Sequence, residues 1–129
     1  MKTKISLVTI WTDEIGVMKE FYREVLGFKV KTDLGEYVEF VSEGVRFAIC
    51  ERKVMHDYSR EFKERGSGQK FELAFPCTDK KDVDSTYEKL ILKGAKPIKP
   101  PFDTPWNQRC ALFADPDGNI HEVFCELDG

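Results

Sequence analysis

The order of predicted elements along this chain of 129 residues occurs twice, and that repeat limits the fold more than any other feature. Residues 7–14 align with residues 72–79, and Gly27 aligns with Gly94 at the point where each half would end a helix. Repeated units of this kind bury their sheet faces against each other or wrap them around a cavity. The sequence therefore predicts an internal duplication, and the repeat itself indicates where a ligand could sit.

The first half predicts a strand, a helix and three further strands. Ile5–Thr12 is rich in β-branched residues, and the acidic pair at 13–14 follows it as a helix-start signal. Apolar residues then recur at helical spacing from Ile15 until Gly27, which suits the left-handed residue after a helix. The strands that follow are predicted at Phe28–Thr32, Tyr37–Val41 and Val45–Cys50.

The second half repeats this plan. Phe71–Phe75 predicts a strand, and Asp79 marks the turn into a helix that ends before Gly94. The last strands are predicted at Lys96–Lys99, Arg109–Ala114 and Ile120–Glu126, with a tight turn at residues 115–119.

Residues 51–70, between the halves, are polar with little apolar periodicity, which indicates a linker or a mobile loop. We predict one domain over residues 1–129, with module one at about 1–52, a linker at about 53–70 and module two at about 71–129. Whether the linker closes over a cleft as a lid is left open.

Composition favours a soluble globular protein. Hydrophobic residues make up 41% of the chain and charged residues 33%, and the net charge of -3 includes no basic stretch that would attract nucleic acid. No apolar run approaches the roughly 20 residues that span a bilayer, and the first residues lack a signal-peptide pattern. The four cysteines have no zinc-binding spacing and are interpreted as buried free thiols. We expect a cytoplasmic protein that binds neither nucleic acid nor a membrane.

Two motifs carry a resemblance to a known family. Residues 21–28, Phe-Tyr-Arg-Glu-Val-Leu-Gly-Phe, resemble an FYxxxLGF signature, and residues 115–122, Asp-Pro-Asp-Gly-Asn-Ile-His-Glu, resemble a DPDGNxxE turn and strand. In this order and spacing, the chain resembles the vicinal-oxygen-chelate superfamily of glyoxalases, bleomycin resistance proteins and extradiol dioxygenases over nearly its whole length. The resemblance implies an α+β fold in which two tandem βαβββ modules form curled mixed sheets around a shared cleft, often within a homodimer.

The resemblance also implies four metal-ligand positions, one on the first strand and one on the last strand of each module. In module two they fall on Glu72 and Glu122, which are able to bind a metal, but in module one they fall on Leu7 and Ala48, which have no donor atom. Two carboxylates alone suit only a weakly held divalent metal. We therefore expect no metal cofactor, with Glu72 and Glu122 as the ligands if one binds.

A shift of one residue in this alignment would bring Ser6 or Glu51 into the metal-ligand positions instead, because neighbouring residues of a strand point to opposite faces. Neither alignment places a histidine at a metal-ligand position. His56 lies in the polar linker, and His121 alternates with Glu122 and so points to the opposite face of its strand.

Without a metal, Glu72 and Glu122 allow two interpretations. Two close carboxylates raise the pKa of one of them, and such a pair can act as a general acid or base. A salt bridge to Arg109 or another cation is the alternative, and we favour it because buried acids in sheets are generally paired with a cation.

The segment at residues 100–109 contains three prolines and is interpreted as a cleft wall that presents Trp106. The family resembled usually has Gly where this chain has Asn107, and Asn tolerates a positive φ better than other side chains do. The turn is therefore expected to form.

The leading hypothesis is a metal-free protein that binds a small molecule, similar to the bleomycin resistance proteins. The alternative is a glyoxalase-like lyase or isomerase with a weakly bound divalent metal, so the sequence leaves open whether the protein is an enzyme. A third possibility is a dimer or protein-interaction module. The predicted ligand-binding residues are Trp11, Tyr37, Glu72, Phe75, Trp106, Arg109 and Glu122.

Overall fold

The computed structural model describes residues 1–63, 66 and 68–127. The chain divides into two compact units, Met1–Ser67 and Gly68–Gly129, and each is built around one four-stranded mixed sheet. The fold is α+β with two βαβββ modules, as the repeat and the family resemblance predicted. Among the described residues, no helix is long and apolar enough to cross a membrane.

Module one follows the predicted order of elements. Its elements are β1 (Leu7–Thr12), α1 (Ile15–Glu20), β2 (Val30–Asp33), β3 (Tyr37–Phe40) and β4 (Arg46–Glu51). Helix α1 continues into a π-helical turn at Phe21–Val25, and Gly27 follows at a φ of 83°, a left-handed conformation that Gly adopts without steric cost. The sheet order is β1-β4-β3-β2, with β1 parallel to β4 and the other neighbours antiparallel.

An aromatic cluster holds α1 and its π-helical turn against the sheet. Tyr22 is fully buried, and its ring centroid lies 5.1 Å from that of Phe47 and 6.0 Å from that of Phe40. Phe28, just after the glycine, contacts the same two strand residues at 5.4 and 5.8 Å. The aromatic residues of the FYxxxLGF motif therefore form core, and each buried ring contributes apolar area and favourable edge geometry.

Module two repeats the arrangement. Its elements are β5 (Ala74–Pro76), α3 (Lys80–Leu92), β6 (Lys96–Asp103), β7 (Gln108–Ala114) and β8 (Ile120–Glu126). The side chain of Asp79 caps α3 by accepting from the backbone N–H of Asp82, which satisfies a donor that the helix leaves unpaired. The sheet order is β5-β8-β7-β6, with β5 parallel to β8.

The tight turn predicted at residues 115–119 joins β7 to β8. The Asp115 carboxylate is buried and accepts from the backbone N–H groups of Asp117 and Asn119, and Gly118 lies at a φ of 86°. Each turn residue thus supplies the hydrogen bond or backbone conformation for which its type is favoured in turns.

Part of the segment at residues 51–70, predicted as a linker or mobile loop, is helical rather than a loop. Arg52–Tyr58 forms a helix, α2, and Arg60–Lys63 forms a 3-10 turn. A helix of seven residues is too short to be stable alone, so tertiary contacts must hold the segment. One such contact is the edge-to-face packing of the Phe62 ring on Trp11, with centroids 4.8 Å apart. Residues 64, 65 and 67 of the predicted linker lie outside the described residues.

Truncation of a core ring in module two should cost far more stability than truncation of an exposed ring. Phe113 has no exposed surface, so Phe113→Ala removes buried area and leaves a cavity, and we expect a loss of about 3–5 kcal/mol in the free energy of unfolding. The matched control is Phe71→Ala, since Phe71 is 60% exposed and should change that free energy by less than about 1 kcal/mol. Urea denaturation of both variants measures the difference, and equal losses would contradict this description of the core.

Candidate functional site

The pairing of β5 with β8 decides which side chains share a face of the module-two sheet. Ala74 is in register with Glu122, and the backbone N–H of Glu122 donates to the Leu73 carbonyl at 3.0 Å. Side chains alternate along a strand, so Glu72, two residues before Ala74, lies on the same face as Glu122. This is the face of the sheet opposite α3, which packs over the other side.

The structure brings the carboxyl groups of Glu72 and Glu122 together. Burial of the half-buried Glu122 raises its pKa, the negative charge of Glu72 raises it further, and a hydrogen bond between the two side chains completes the shift to a pKa of about 7. A carboxylic acid that keeps its proton near neutral pH can donate to the neighbouring carboxylate. The pair can therefore hold one shared proton and exchange it within the physiological pH range.

The thiol of Cys110 lies near this pair and stays protonated. Burial, followed by the negative charges of Glu122 and Glu72, raises its pKa to about 11. Such a group is a poor nucleophile because the thiolate is the reactive form. All four cysteines carry free thiols, and Cys50, Cys110 and Cys125 are buried, as the sequence predicted, whereas Cys77 is only partly buried.

The prediction that Arg109 pairs with Glu72 and Glu122 was wrong. Arg109 is in register with Cys125, whereas Glu122 is in register with Leu112, so the arginine and the glutamates lie on opposite faces of the sheet. On its own face the guanidinium donates to Asp84 at 2.8 Å and to Asp103 at 3.0 Å. These two carboxylates connect β7 to α3 and to the end of β6, so Arg109 is not available to the glutamate pair.

Phe75 and Trp106 also lie apart from the glutamates. Phe75 is in register with Val123, on the α3 side of the sheet, and its ring packs near Phe113 and His121 with centroids 6.3 and 6.2 Å away. Trp106 lies in the turn between β6 and β7, where its side chain is 68% exposed and its indole N–H donates to Gln108. Asn107 beside it adopts a φ of 67°, so the turn forms with Asn as expected.

His121 holds the backbone of the residue next to Glu72. Its ring is buried on the α3 side of the sheet, as predicted from the alternation with Glu122, and Nδ1 accepts the backbone N–H of Leu73 at 3.2 Å. Its Nε2 lies 3.6 Å from the carboxylate of Asp115 in the β7–β8 turn. Because the Leu73 carbonyl accepts from Glu122, both backbone groups of Leu73 are held by β8, and this fixes the approach of Glu72 to its partner.

Module one has the same register with different side chains. Thr9 is in register with Ala48, so Leu7 has the same position relative to Ala48 as Glu72 has relative to Glu122. The alternative register, with Ser6 or Glu51 at these positions, is excluded because Glu51 pairs with Thr12 on the other face. Leu7 and Ala48 offer no donor atom for a metal.

Within each module, few donor side chains for a metal lie together. Within residues 1–63, 66 and 68–127, no group of three or more His, Cys, Asp or Glu side chains is placed to hold a metal ion. Transition metals in proteins take several converging nitrogen, oxygen or sulfur ligands. In module two the available ligands are two carboxyl groups, one of which retains its proton near pH 7.

Sequence reasoning missed a charged cluster on the face of the module-one sheet opposite α1. At its centre is Glu39, which is only 4% exposed and whose pKa is lowered to about 2, first by hydrogen bonds from Arg46. The Tyr37 hydroxyl donates to the same carboxylate at 3.4 Å, and Lys31 lies 3.7 Å from it. The alternation of Tyr37, Glu39 and, across the turn, Arg46 could have placed these residues on one face.

Trp11 and Tyr37 share that face, since both are in register with Cys50. Trp11 is half-buried beneath Phe62 of the 3-10 turn. Burial and the charge of Glu39 raise the pKa of Tyr37, so its hydroxyl remains a hydrogen-bond donor. Two of the predicted ligand-binding residues therefore lie together in module one, beside a polar cluster that was not predicted.

Comparisons with known proteins identify a family and a relative that are similar to this chain. A family model described as the Glyoxalase/Bleomycin resistance protein/Dioxygenase superfamily matches residues 4–123. The chain is 30% identical over 127 residues to a Bacillus subtilis (strain 168) protein named "Uncharacterized protein YraH", with 94% of this chain and 97% of the relative covered.

Two crystal structures from this group are also similar. A glyoxalase/bleomycin resistance protein/dioxygenase from Nocardioides has a TM-score of 0.87 and 27% identity, over 100% of this chain and 87% of that chain. A glyoxalase/bleomycin resistance protein/dioxygenase family enzyme from Burkholderia phytofirmans PsJN has a TM-score of 0.86 and 25% identity, over 97% of this chain and 100% of that chain.

Removal of the charge of Glu72 should lower the pKa of Glu122. In Glu72→Gln the repulsion between the two carboxylates is gone, but burial remains, so the Glu122 pKa should fall from about 7 and stay above its ordinary value of 4.5. A carbon-13 NMR titration of the Glu122 carboxyl measures this midpoint. Glu126→Gln on the exposed end of β8 is the control, and an unchanged midpoint in Glu72→Gln would show that the two groups do not interact.

Glu122 should also make stability depend on pH. Its pKa is about 7 in the folded chain against 4.5 for the free side chain, so between these values the folded state binds more protons than the unfolded state. The free energy of unfolding contributed by this group therefore falls as pH rises from about 4.5 to about 7. Glu122→Gln should flatten that decline and be more stable than the wild type at pH values above the window. Thermal unfolding across pH tests this, and parallel curves for the two proteins would refute it.

Proposed function

The chain belongs to the glyoxalase/bleomycin resistance protein/dioxygenase superfamily, and from this membership we propose that it is a small-molecule-binding protein without the family's catalytic metal site. The observation that carries the proposal is that the carboxyl groups of Glu72 and Glu122 lie beside each other, in the positions where module two would supply metal ligands, and that burial and this proximity raise the pKa of Glu122. A pair with one proton presents carboxyl oxygens that accept hydrogen bonds, and it needs no metal to neutralise its second charge.

The glutamate pair favours a ligand with hydrogen-bond donors. An approaching N–H group or cation would stabilise the charged form of Glu122 and lower its pKa, so binding of a cation should release a proton. Arg109 does not compete for the pair, since it is bound to Asp84 and Asp103 on the other face. A donor on the ligand would therefore meet carboxyl oxygens that Arg109 does not occupy.

Aromatic residues are candidates for further ligand contacts within each module. In module two, Trp106 presents a largely exposed indole ring, apart from the glutamate pair. In module one, Trp11 and Tyr37 share one face of the sheet. Aromatic rings commonly contribute to ligand binding, and these residues are of that kind. The contacts of Phe75 and Arg109, by contrast, favour a role in holding module two together. A homodimer, implied by the family resemblance, is part of the proposal and is testable by analytical ultracentrifugation.

A glyoxalase-like lyase or isomerase is the second candidate, and the pKa of Glu122 favours it specifically. A general acid or base works best when its pKa lies near the operating pH, and a value of about 7 meets that condition. In a metal-dependent form of this candidate, Glu72 and Glu122 would be the ligands. Metal dependence therefore separates that form of the enzyme from a metal-free binding protein.

The first test is metal binding by protein purified without chelator. We expect no stoichiometric metal by elemental analysis and no saturable rise in melting temperature on adding Mn²⁺, Ni²⁺ or Zn²⁺, because a ligand that binds the folded state must stabilise it. A saturable shift that Glu122→Ala abolishes and that Glu126→Ala retains would overturn the metal-free proposal and favour the lyase or isomerase.

The second test is a ligand screen on the metal-free protein. Compounds that raise the melting temperature are compared in the wild type and in Glu122→Gln, with Glu88→Gln on the exposed surface of α3 as the control. Ligands of the proposed site should lose their effect in Glu122→Gln alone. Stabilisation that is equal in all three proteins would place binding away from the glutamate pair.

A further inference from the structure

The charged cluster of module one consists of Lys31, Tyr37, Glu39 and Arg46, and its charges are not balanced. Glu39 contributes one negative charge that persists at all ordinary pH values, because hydrogen bonds from Arg46 hold its pKa at about 2. Arg46 and Lys31 contribute two positive charges. Within the described part of the chain, the ion pairs of these two cations involve no acid other than Glu39. The cluster therefore has a net positive charge.

We propose that Arg46 and Lys31 form an anchoring site for the carboxylate or phosphate group of a small anionic ligand on the module-one sheet. This inference goes beyond the proposed function, which concerns the glutamate pair of module two, and it does not depend on it.

Arg46 is held so that part of its guanidinium remains available. Its Nε donates to one oxygen of Glu39 at 2.9 Å and its Nη2 donates to the other at 2.7 Å, so one edge of the guanidinium is used. The remaining N–H groups have no such partner in Glu39, and the side chain is 55% exposed. A planar guanidinium binds carboxylate or phosphate through two N–H groups in a fixed geometry.

Glu39 prepares this arginine for binding. An exposed Arg side chain normally loses conformational freedom when it binds a ligand, and that loss weakens binding. Here the buried carboxylate already holds the guanidinium through two hydrogen bonds, and the Tyr37 hydroxyl in turn contacts that carboxylate. The Arg46 guanidinium has therefore already lost conformational freedom on folding, before a ligand binds.

Lys31 is directed towards the same place by an irregularity in the sheet. The register of β2 against β3 shifts between Val30 and Thr32, and Lys31 is the residue within that shift. Bulges of this kind change the direction of a side chain, and they are common at sheet edges, where β2 lies. The Lys31 ammonium is 3.7 Å from Glu39, beyond hydrogen-bond distance, and the side chain is 57% exposed. Its donors therefore face water.

The test uses inorganic phosphate as the probe on the full chain. Sodium phosphate is titrated at pH 7 and at constant ionic strength set with sodium chloride, and the nitrogen-15 resonance of Arg46 Nε is followed by NMR. We expect a saturable shift of this resonance, whereas screening by salt alone would be matched by chloride. Sodium acetate in a parallel titration shows whether a carboxylate binds as phosphate does, and binding of either anion supports the site.

Variants locate the binding. Lys31→Gln should weaken phosphate binding by about tenfold, the loss of one charge-assisted hydrogen bond. Lys31 is exposed, so this substitution should leave the Glu39–Arg46 ion pair in place and the Arg46 resonance observable. The double variant Glu39→Gln with Arg46→Gln removes both charges of the ion pair, leaves no unpaired charge at position 39 and should abolish binding. Because this variant lacks the Arg46 resonance, phosphate binding to it is followed through the backbone amide resonances of β3 and β4.

The matched control is Lys53→Gln, since Lys53 is an exposed lysine of the same unit that pairs with Glu36. It should bind phosphate as the wild type does. An Arg46 resonance that moves no further with phosphate than with chloride would overturn the proposal, and so would saturable binding that Lys31→Gln and the double variant both retain. Neither result bears on Glu122, so failure here is distinguishable from failure of the proposed function.

Discussion

The parallel pairing of the first strand of each module with its last strand is the constraint on which the site depends. This pairing sets which residues share a face, because a shift of one residue moves every side chain of a strand to the other side of the sheet. In module two it places Glu72 and Glu122 on one face and Arg109 on the other. In module one the equivalent register places Leu7 and Ala48 together. The chemistry available to each module follows from that geometry.

Each module has one glutamate removed from solvent, and the pKa values of these two glutamates shift in opposite directions. Glu39 has a guanidinium within hydrogen-bond distance, so the charged form is the stable one and its pKa falls to about 2. Glu122 is partly buried beside a second carboxyl group, so the protonated form is favoured and its pKa rises to about 7. Both outcomes follow from the same cost of burying an uncompensated charge. One module consequently carries a fixed ion pair, and the other carries a proton that can be exchanged.

Much of the fold was predictable because its signals are local. The helix stop at Gly27, the turn at residues 115–119 and the strand at Ile120–Glu126 each depend on residue types within a few positions of one another. The helix at Arg52–Tyr58 was not predictable in this way. Its sequence is polar and short, and its contacts are long-range: Arg52 in the helix pairs with Asp13, and Phe62 in the 3-10 turn after it packs on Trp11.

The sequence by itself determined the repeat, the order of elements and the absence of donor atoms at Leu7 and Ala48, because these properties are read from residue types and spacing. Only the tertiary structure decided the partners of the charged groups. Arg109 contacts Asp84 and Asp103 instead of the glutamates, and Glu39 contacts Arg46, because strand register and helix packing set these distances. Electrostatic interactions change steeply with distance and burial, and both quantities depend on the tertiary structure rather than on the order of residues along the chain.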